Sequence, residues 1–224
     1  MALFEDRTEA GRRLASELSA YAGRDDVVVL ALPRGGVPVG YEVAKALGAV
    51  LDVYVVRKLG VPGHEELAMG AIATGGTLVL NESVVRDLGV PQHKIDEVAT
   101  REGFELERRE REYRGSRPPI DVRGLTVILV DDGLATGATM RAAVQALRQQ
   151  EPGQVIVAVP TAAPDTCESI GREVDAIVCA ETPTPFLGVG MWYVNFSQTT
   201  DDEVKRLLTE FDASSAARAS SAGH

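Results

Sequence analysis

The chain has 224 residues, 45% of them hydrophobic and 25% charged, and its formal net charge is −10. That length and composition suit one soluble globular domain with a sizeable core, and no apolar run is long enough to span a bilayer. The acidic balance makes nucleic acid an unlikely partner, because its phosphates are repelled. The opening residues, Met1-Ala2-Leu3-Phe4-Glu5-Asp6, lack the basic-then-apolar order of a secretion signal, so a cytoplasmic location is expected.

Val27–Leu32 is short, apolar and rich in β-branched residues, which predicts a buried strand. It runs into Pro33-Arg34-Gly35-Gly36 and then a helix, on which Val39, Val43 and Leu47 recur at a spacing of four. A turn of Arg34, Gly35 and Gly36 offers a fixed charge and freely oriented amides, which suits an anion, although Gly-Gly also makes plain strand–helix turns. A second strand is expected at Val53–Val56, ending in Arg57-Lys58-Leu59-Gly60-Val61-Pro62-Gly63. Two cations at a strand end would complete a site for a strongly anionic substrate. The Gly/Pro-rich stretch Gly60–Ala68 reads as a mobile loop. Met69–Ala73 and Thr77–Leu80 flank Thr74-Gly75-Gly76 and read as a hairpin. Gln92–Arg114 is a charged helical stretch with Ile95, Val98 and Leu106 as its apolar positions and Gly103 as a candidate break. Its Arg and Glu residues are expected to form exposed i, i+4 pairs.

Thr126–Val130 is the next strand, followed by Asp131-Asp132-Gly133-Leu134-Ala135-Thr136-Gly137-Ala138-Thr139 and a helix with Met140, Ala143, Val144 and Leu147 on one face. Ligands of open α/β sheets sit just past the carboxyl ends of strands. The small residues here let the backbone approach a phosphate, Thr136 and Thr139 supply hydroxyls, and the helix adds the positive end of its dipole. Paired carboxylates beside that loop suit vicinal sugar hydroxyls, since an ionised carboxylate is a pure acceptor. A phosphate pocket next to a diol pocket describes a ribose 5-phosphate site. A nucleoside-triphosphatase strand would need a G-x-x-x-x-G-K-[ST] loop elsewhere, and none exists. Gly188-Val-Gly190 begins a dinucleotide fingerprint, but Tyr193 occupies the third glycine position.

Val155–Val159 and Ala176–Ala180 complete the strands, and strand–helix alternation argues for a parallel sheet covered on both faces. Cys167, on a helix, and Cys179, in a strand, fit no disulfide or metal framework and read as reduced, buried thiols. Pro183–Phe196 places aromatics, Phe186 and Trp192 among them, between Gly and Pro residues, as in a wall for a flat base. The small, polar end of the chain cannot offset its ordering entropy, so a single domain over 1–211 and a disordered tail over 212–224 are expected.

The segment from Val127 to Met140 resembles the thirteen-residue phosphoribosyl pyrophosphate signature of type I phosphoribosyltransferases, and the likeness covers roughly Val27 to Phe196. The resemblance implies a five-stranded parallel sheet with helices on both faces, a small hood and a flexible lid. It implies that Asp131 and Asp132 hold the ribose hydroxyls and that Gly133, Leu134, Ala135, Thr136, Gly137, Ala138 and Thr139 bind the 5-phosphate. Arg34, Gly35 and Gly36 stand where the family has its pyrophosphate loop. Arg57-Lys58 and the following Gly-x-Pro are similar to the lid of adenine-type enzymes, with Arg57 and Lys58 as catalytic cations. Glu66 is then a candidate for proton transfer to the base, beside its plain reading as a solvated loop carboxylate. Phe186 and Trp192 would belong to the hood. The implied partners are phosphoribosyl pyrophosphate and a nucleobase-like acceptor, with Mg²⁺ carried by substrate oxygens rather than by a protein metal cluster, and a homodimer as the assembly considered.

The sequence departs from hypoxanthine-guanine enzymes, which carry an acidic residue where Ala135 stands and a lysine on the next strand, here ending Ala158-Val159-Pro160. The whole chain is similar to bacterial phosphoribosyltransferase-domain proteins whose acceptor is open. The expected function is transfer of ribose 5-phosphate from phosphoribosyl pyrophosphate to such an acceptor; the alternative is a non-catalytic regulator that binds the same donor or a nucleotide.

Overall fold

The computed structural model describes residues 2–222, with side chains as far as Ser215. Its first helix, α1 (Arg7–Glu17), begins where the Asp6 carboxylate accepts from the Glu9 amide at 2.9 Å, an N-cap that satisfies one orphan donor. Strand β1 (Val27–Ala31) leads into α2 (Gly36–Leu47), and β2 (Val50–Val53) follows. The central sheet adds β6 (Thr126–Val130), β7 (Gln154–Thr161) and β8 (Ala176–Glu181), joined by α5 (Ala138–Arg148) and α6 (Pro164–Gly171). All five strands pair in parallel, as expected, and the structure sets their order as β2-β1-β6-β7-β8. β1, β6 and β7 bury side chains on both faces and the edge strand β8 is half-buried, so two cores form. One lies under α1, α2, α4 (Gln92–Arg114) and α7 (Asp201–Ala222), and the other lies under α5 and α6.

Four expectations need correction. The second strand is Val50–Val53, not Val53–Val56, because Asp52 interrupts its apolar run yet is buried. Gly60–Ala68 is not an irregular loop: β3 (Val56–Val61) and β4 (His64–Ala73) form an antiparallel hairpin that turns at Pro62-Gly63. Gly63 has φ 81°, and the proline before it suits such a turn. Gly60 is needed for close approach, since a Cβ there would lie 2.6 Å from the Glu65 carbonyl. The expected hairpin of Met69–Ala73 with Thr77–Leu80 is present as β4 with β5 (Thr77–Leu80), which completes a second, three-stranded sheet.

The third correction is at the carboxyl end. Helix α7 continues through Ala222 where a structureless tail is expected; alanine is the strongest helix former, and Val204, Leu208 and Phe211 anchor the helix on the core. Gly223 and His224 lie outside the described residues. The fourth is Cys167 and Cys179, which form a disulfide rather than two thiols, because α6 packs against β8 and brings together residues 12 apart in sequence. Helix α4 passes through Gly103 without a break. No described helix is long and apolar enough to cross a membrane.

A buried ion pair fastens α4 to the sheet. Arg114 Nε donates to both oxygens of Asp52 at 2.9 Å, its Nη1 reaches Glu110 Oε1 at 2.8 Å, and its Nη2 donates to the Val53 carbonyl. The two side chains are only 2% and 7% exposed. A buried charge left without its partner is costly, so Asp52→Ala should lower the unfolding free energy by about 3–5 kcal/mol. Adding Arg114→Met should restore much of that loss; urea denaturation of the three proteins checks both expectations.

Candidate functional site

Strands β1 and β6 are neighbours, so the loops leaving their carboxyl ends meet. Asp131 and Asp132 end β6, and Gly133–Gly137 lead into α5. Gly137 takes φ 71°, and a side chain there would also meet Ile170 and Thr166 of α6. The loop is held from behind through its carbonyls. Ala163 donates its amide to Leu134 O at 2.9 Å, Thr166 Oγ1 donates to Ala135 O at 2.7 Å, and Arg141 Nη1 donates to Thr136 O at 3.0 Å. Arg141 is itself fixed by Glu173 at 2.9 Å and by Ser169 Oγ at 2.7 Å. In front lies an open cavity of about 170 Å³ lined by Asp131, residues 133–140 and Val189.

The Arg34-Gly35-Gly36 turn lies directly on the carboxylates. A Cβ on Gly36 would be 2.7 Å from Val130 O and 2.9 Å from Asp131 Cα, and one on Gly35 would overlap Asp132 Oδ2. These glycines thus serve close approach, while the Gly36 amide, expected to be free for an anion, is taken by the Leu32 carbonyl at 3.0 Å. Arg34 Nη1 lies 3.8 Å from Asp201 Oδ2 at the start of α7.

Residues 4–171 match the family model described as the phosphoribosyl transferase domain. The chain belongs to that family. A Mycobacterium tuberculosis H37Rv protein named "Putative phosphoribosyl transferase Rv0571c" is 48% identical over 208 residues, which are 93% of this chain and 47% of that protein. Its CDC 1551 counterpart, MT0597, matches equally, so the chain spans about half the length of these curated relatives. Among solved structures, TT1426 of Thermus thermophilus superposes with a TM-score of 0.83 at 42% identity, covering 94% of this chain and 99% of that one. The five-stranded parallel sheet with helices on both faces is the type I phosphoribosyltransferase fold.

In this phosphoribosyltransferase domain the lid hairpin separates its two cations, because successive strand residues face opposite sides. Lys58 lines a groove with Ala138 and Thr139 at the head of α5, and its Nζ donates to Glu66 O at 3.1 Å. Arg57 turns the other way and donates to Glu102 Oε2 of α4 from Nη2 at 2.6 Å and Nε at 3.1 Å. The Glu66 side chain is 80% exposed, with His64 Nδ1 3.8 Å from its carboxylate. The structure therefore brings Lys58 to the loop, but neither Arg57 nor Glu66.

The hood rests on the same loop. Phe186 and Trp192 lie 6.1 Å apart between ring centroids, and the Trp192 carbonyl accepts from Leu3 at 2.9 Å and Phe4 at 3.0 Å. Val189 packs over Gly133, and Tyr193 Oη donates to Asp132 O at 2.6 Å. Arg7 Nε donates to Asp132 Oδ2 at 2.8 Å. Neither Arg7 nor Tyr193 stands out in the sequence: Arg7 reads as an ordinary basic residue, and Tyr193 as one aromatic of several. Burial pushes the Asp131 carboxyl well above its ordinary range, and the Asp132 charge pushes it further. Burial also raises Asp132, against the lowering effect of Arg7.

The glycine geometry gives a direct test. Gly36→Ala sets a Cβ against backbone that cannot yield, and overpacking of this kind should cost about 1–3 kcal/mol in urea unfolding. Gly103→Ala, mid-helix with its nearest outside atom 3.5 Å away, should instead stabilise by about 0.5–1 kcal/mol.

Proposed function

We propose that the chain transfers ribose 5-phosphate from phosphoribosyl pyrophosphate to a nucleobase-like acceptor, with release of pyrophosphate. The observation that carries this reading is contiguity. A phosphate-sized loop at a helix N-terminus, a pair of carboxylates and a glycine turn packed on those carboxylates follow one another across two adjacent strand ends. A donor with a 5-phosphate, a ribose diol and a pyrophosphate asks for an anion site, a diol site and a second anion site in that sequence.

In this reading Asp131 and Asp132 accept from the ribose hydroxyls, and the loop from Gly133 to Thr139 receives the 5-phosphate. The bond from C1 to the pyrophosphate oxygen breaks as a bond from C1 to the acceptor nitrogen forms, through an oxocarbenium-like state. Lys58 and Arg34 draw the departing anion, and such cations act most where charge develops. Mg²⁺ fits as a passenger on the donor's oxygens, where it would neutralise the pyrophosphate, and no residue of this chain is assigned to it. Ala135 provides no base, so the acceptor arrives with a nucleophilic nitrogen or loses its proton elsewhere. Phe186 and Trp192 are the flat surfaces proposed to receive it.

A second reading, a non-catalytic regulator that binds the same donor, draws support from the exposure of Glu66 and the engagement of Arg57 by Glu102. A panel of nucleobases, each offered with phosphoribosyl pyrophosphate and Mg²⁺ and assayed for pyrophosphate, separates the two. Release with at least one base is expected; tight donor binding with no release from any base would leave the regulator. Asp131→Asn with Asp132→Asn should weaken donor binding by about 1.5–3 kcal/mol for each charged hydrogen bond lost, read by calorimetry. Lys58→Met should lower kcat by a larger factor than it raises KM in steady-state assays.

A further inference from the structure

We propose that Arg7, in the first turn of α1, is a positioning residue that holds Asp132 ionised and in register for the ribose of the donor. This role rests on the donor-site reading above.

The contact is built rather than incidental. Arg7 and Asp132 lie 125 residues apart, and their side chains are only 11% and 16% exposed. The guanidinium is held on three sides. Nε donates to Asp132 Oδ2, Nη1 donates to the Ser197 carbonyl at 2.7 Å, and the plane lies 4.0 Å from the Phe196 ring centroid. Asp132 is held at its other end too, where its carbonyl accepts from Tyr193 Oη. A side chain already fixed in this way loses little freedom when a ligand arrives.

The placement leaves a matched pair of acceptors. Asp132 gives Oδ2 to Arg7, while Asp131 gives Oδ1 to the Asp132 amide at 2.8 Å. Each carboxylate has one oxygen engaged by a protein donor, and in the proposed role the second oxygen takes a hydroxyl. Both must be ionised for that, because a protonated carboxyl becomes a donor at one oxygen. Burial and mutual repulsion favour the acid form, and both are acting here. Arg7 is the opposing charge, and a guanidinium does not lose its proton.

The groups facing the pair are few. Arg7 comes from α1 and Tyr193 from the hood; the turn before α2 presents Gly35 and Gly36; the loop before α5 presents residues 133–140 with Val189. Of these only Arg7 brings a charge and only Tyr193 has a proton to lose, and burial pushes Tyr193 further up. Carboxyl groups whose pKa is raised lose their charge as pH falls through it, and removing Arg7 raises it again. Donor affinity should therefore fail at a higher pH without Arg7.

The test uses the intact chain as wild type, Arg7→Met and Arg7→Lys. Carboxyl ¹³C NMR follows Asp131 and Asp132 against pH without ligand, and calorimetry follows Mg²⁺–phosphoribosyl pyrophosphate from neutral pH down through the raised carboxyl midpoints. Arg7→Met should raise the acidic midpoint by about 1–3 pH units, with Arg7→Lys close to wild type. The affinity loss in Arg7→Met should grow as pH falls. Unchanged midpoints, or the same fold-loss at every pH, would make Arg7 a packing residue and overturn the proposal. Tighter donor binding by Arg7→Met would make Arg7 a plug over the diol site and overturn it equally. If Arg7→Met does not fold, Arg7→Gln, neutral but still a donor, takes its place. Should the wild type bind no donor while the midpoints move as expected, the donor reading fails and the hold of Arg7 on the carboxylates stands.

Discussion

Two carboxylates on consecutive residues at the end of a fully buried strand are costly to keep, and the surroundings of Asp131 and Asp132 are arranged around that cost. Charge in such a place needs hydrogen bonds and a counterion. One oxygen of Asp131 takes the next amide, one oxygen of Asp132 takes Arg7, and the Asp132 backbone is pinned by Tyr193. The glycines of the neighbouring turn bring backbone to the pair without side chains in the way. Helix α1 and the hood, which come from opposite ends of the described chain, meet at this point. The parallel bridge between Phe4 and Tyr193 joins them beside it.

The fold is legible in the sequence because parallel strands buried on both faces read as unbroken apolar runs. Four of the five central strands are found that way. The second is displaced by three residues, because Asp52 looks like a boundary until Arg114 is seen against it. That pairing joins residues 62 apart, which no local pattern reports. The lid illustrates a different limit. Glycine and proline mark Gly60–Gly63 as irregular, yet two-residue turns and bulges in hairpins use the same residues. The disulfide is hidden for the reason that α6 meets β8 only in the folded sheet.

The site divides in the same way. The loop from Asp131 to Thr139 and the Arg34-Gly35-Gly36 turn are local motifs, so sequence reasoning finds them whole, and the fold sets them side by side. What it misses is the support: Arg141 and Thr166 behind the loop carbonyls, Arg7 and Tyr193 on Asp132. These act from other elements, and a polar residue on a helix carries no mark of what it faces. Arg57 and Lys58 make the complementary case. Read as a dipeptide they look like one cationic unit, but in a strand they part, Lys58 toward α5 and Arg57 toward α4.

The distribution of that support bears on how the domain works. The loop after β6 is fixed from behind by α6, and the disulfide ties α6 to β8 through Cys167, one residue from Thr166 and its bond to the loop. Preorganised donors of this kind need no rearrangement when charge develops. The hairpin and hood are built differently. Their ends carry Gly, Pro and aromatic residues, and Glu66, Leu187 and Met191 there are exposed. A loop held from behind beside an open, exposed rim lets one scaffold keep its central geometry while the rim changes through a few surface residues. Under the transferase reading proposed above, the acceptor would then be selected by the hood and hairpin rather than by the sheet.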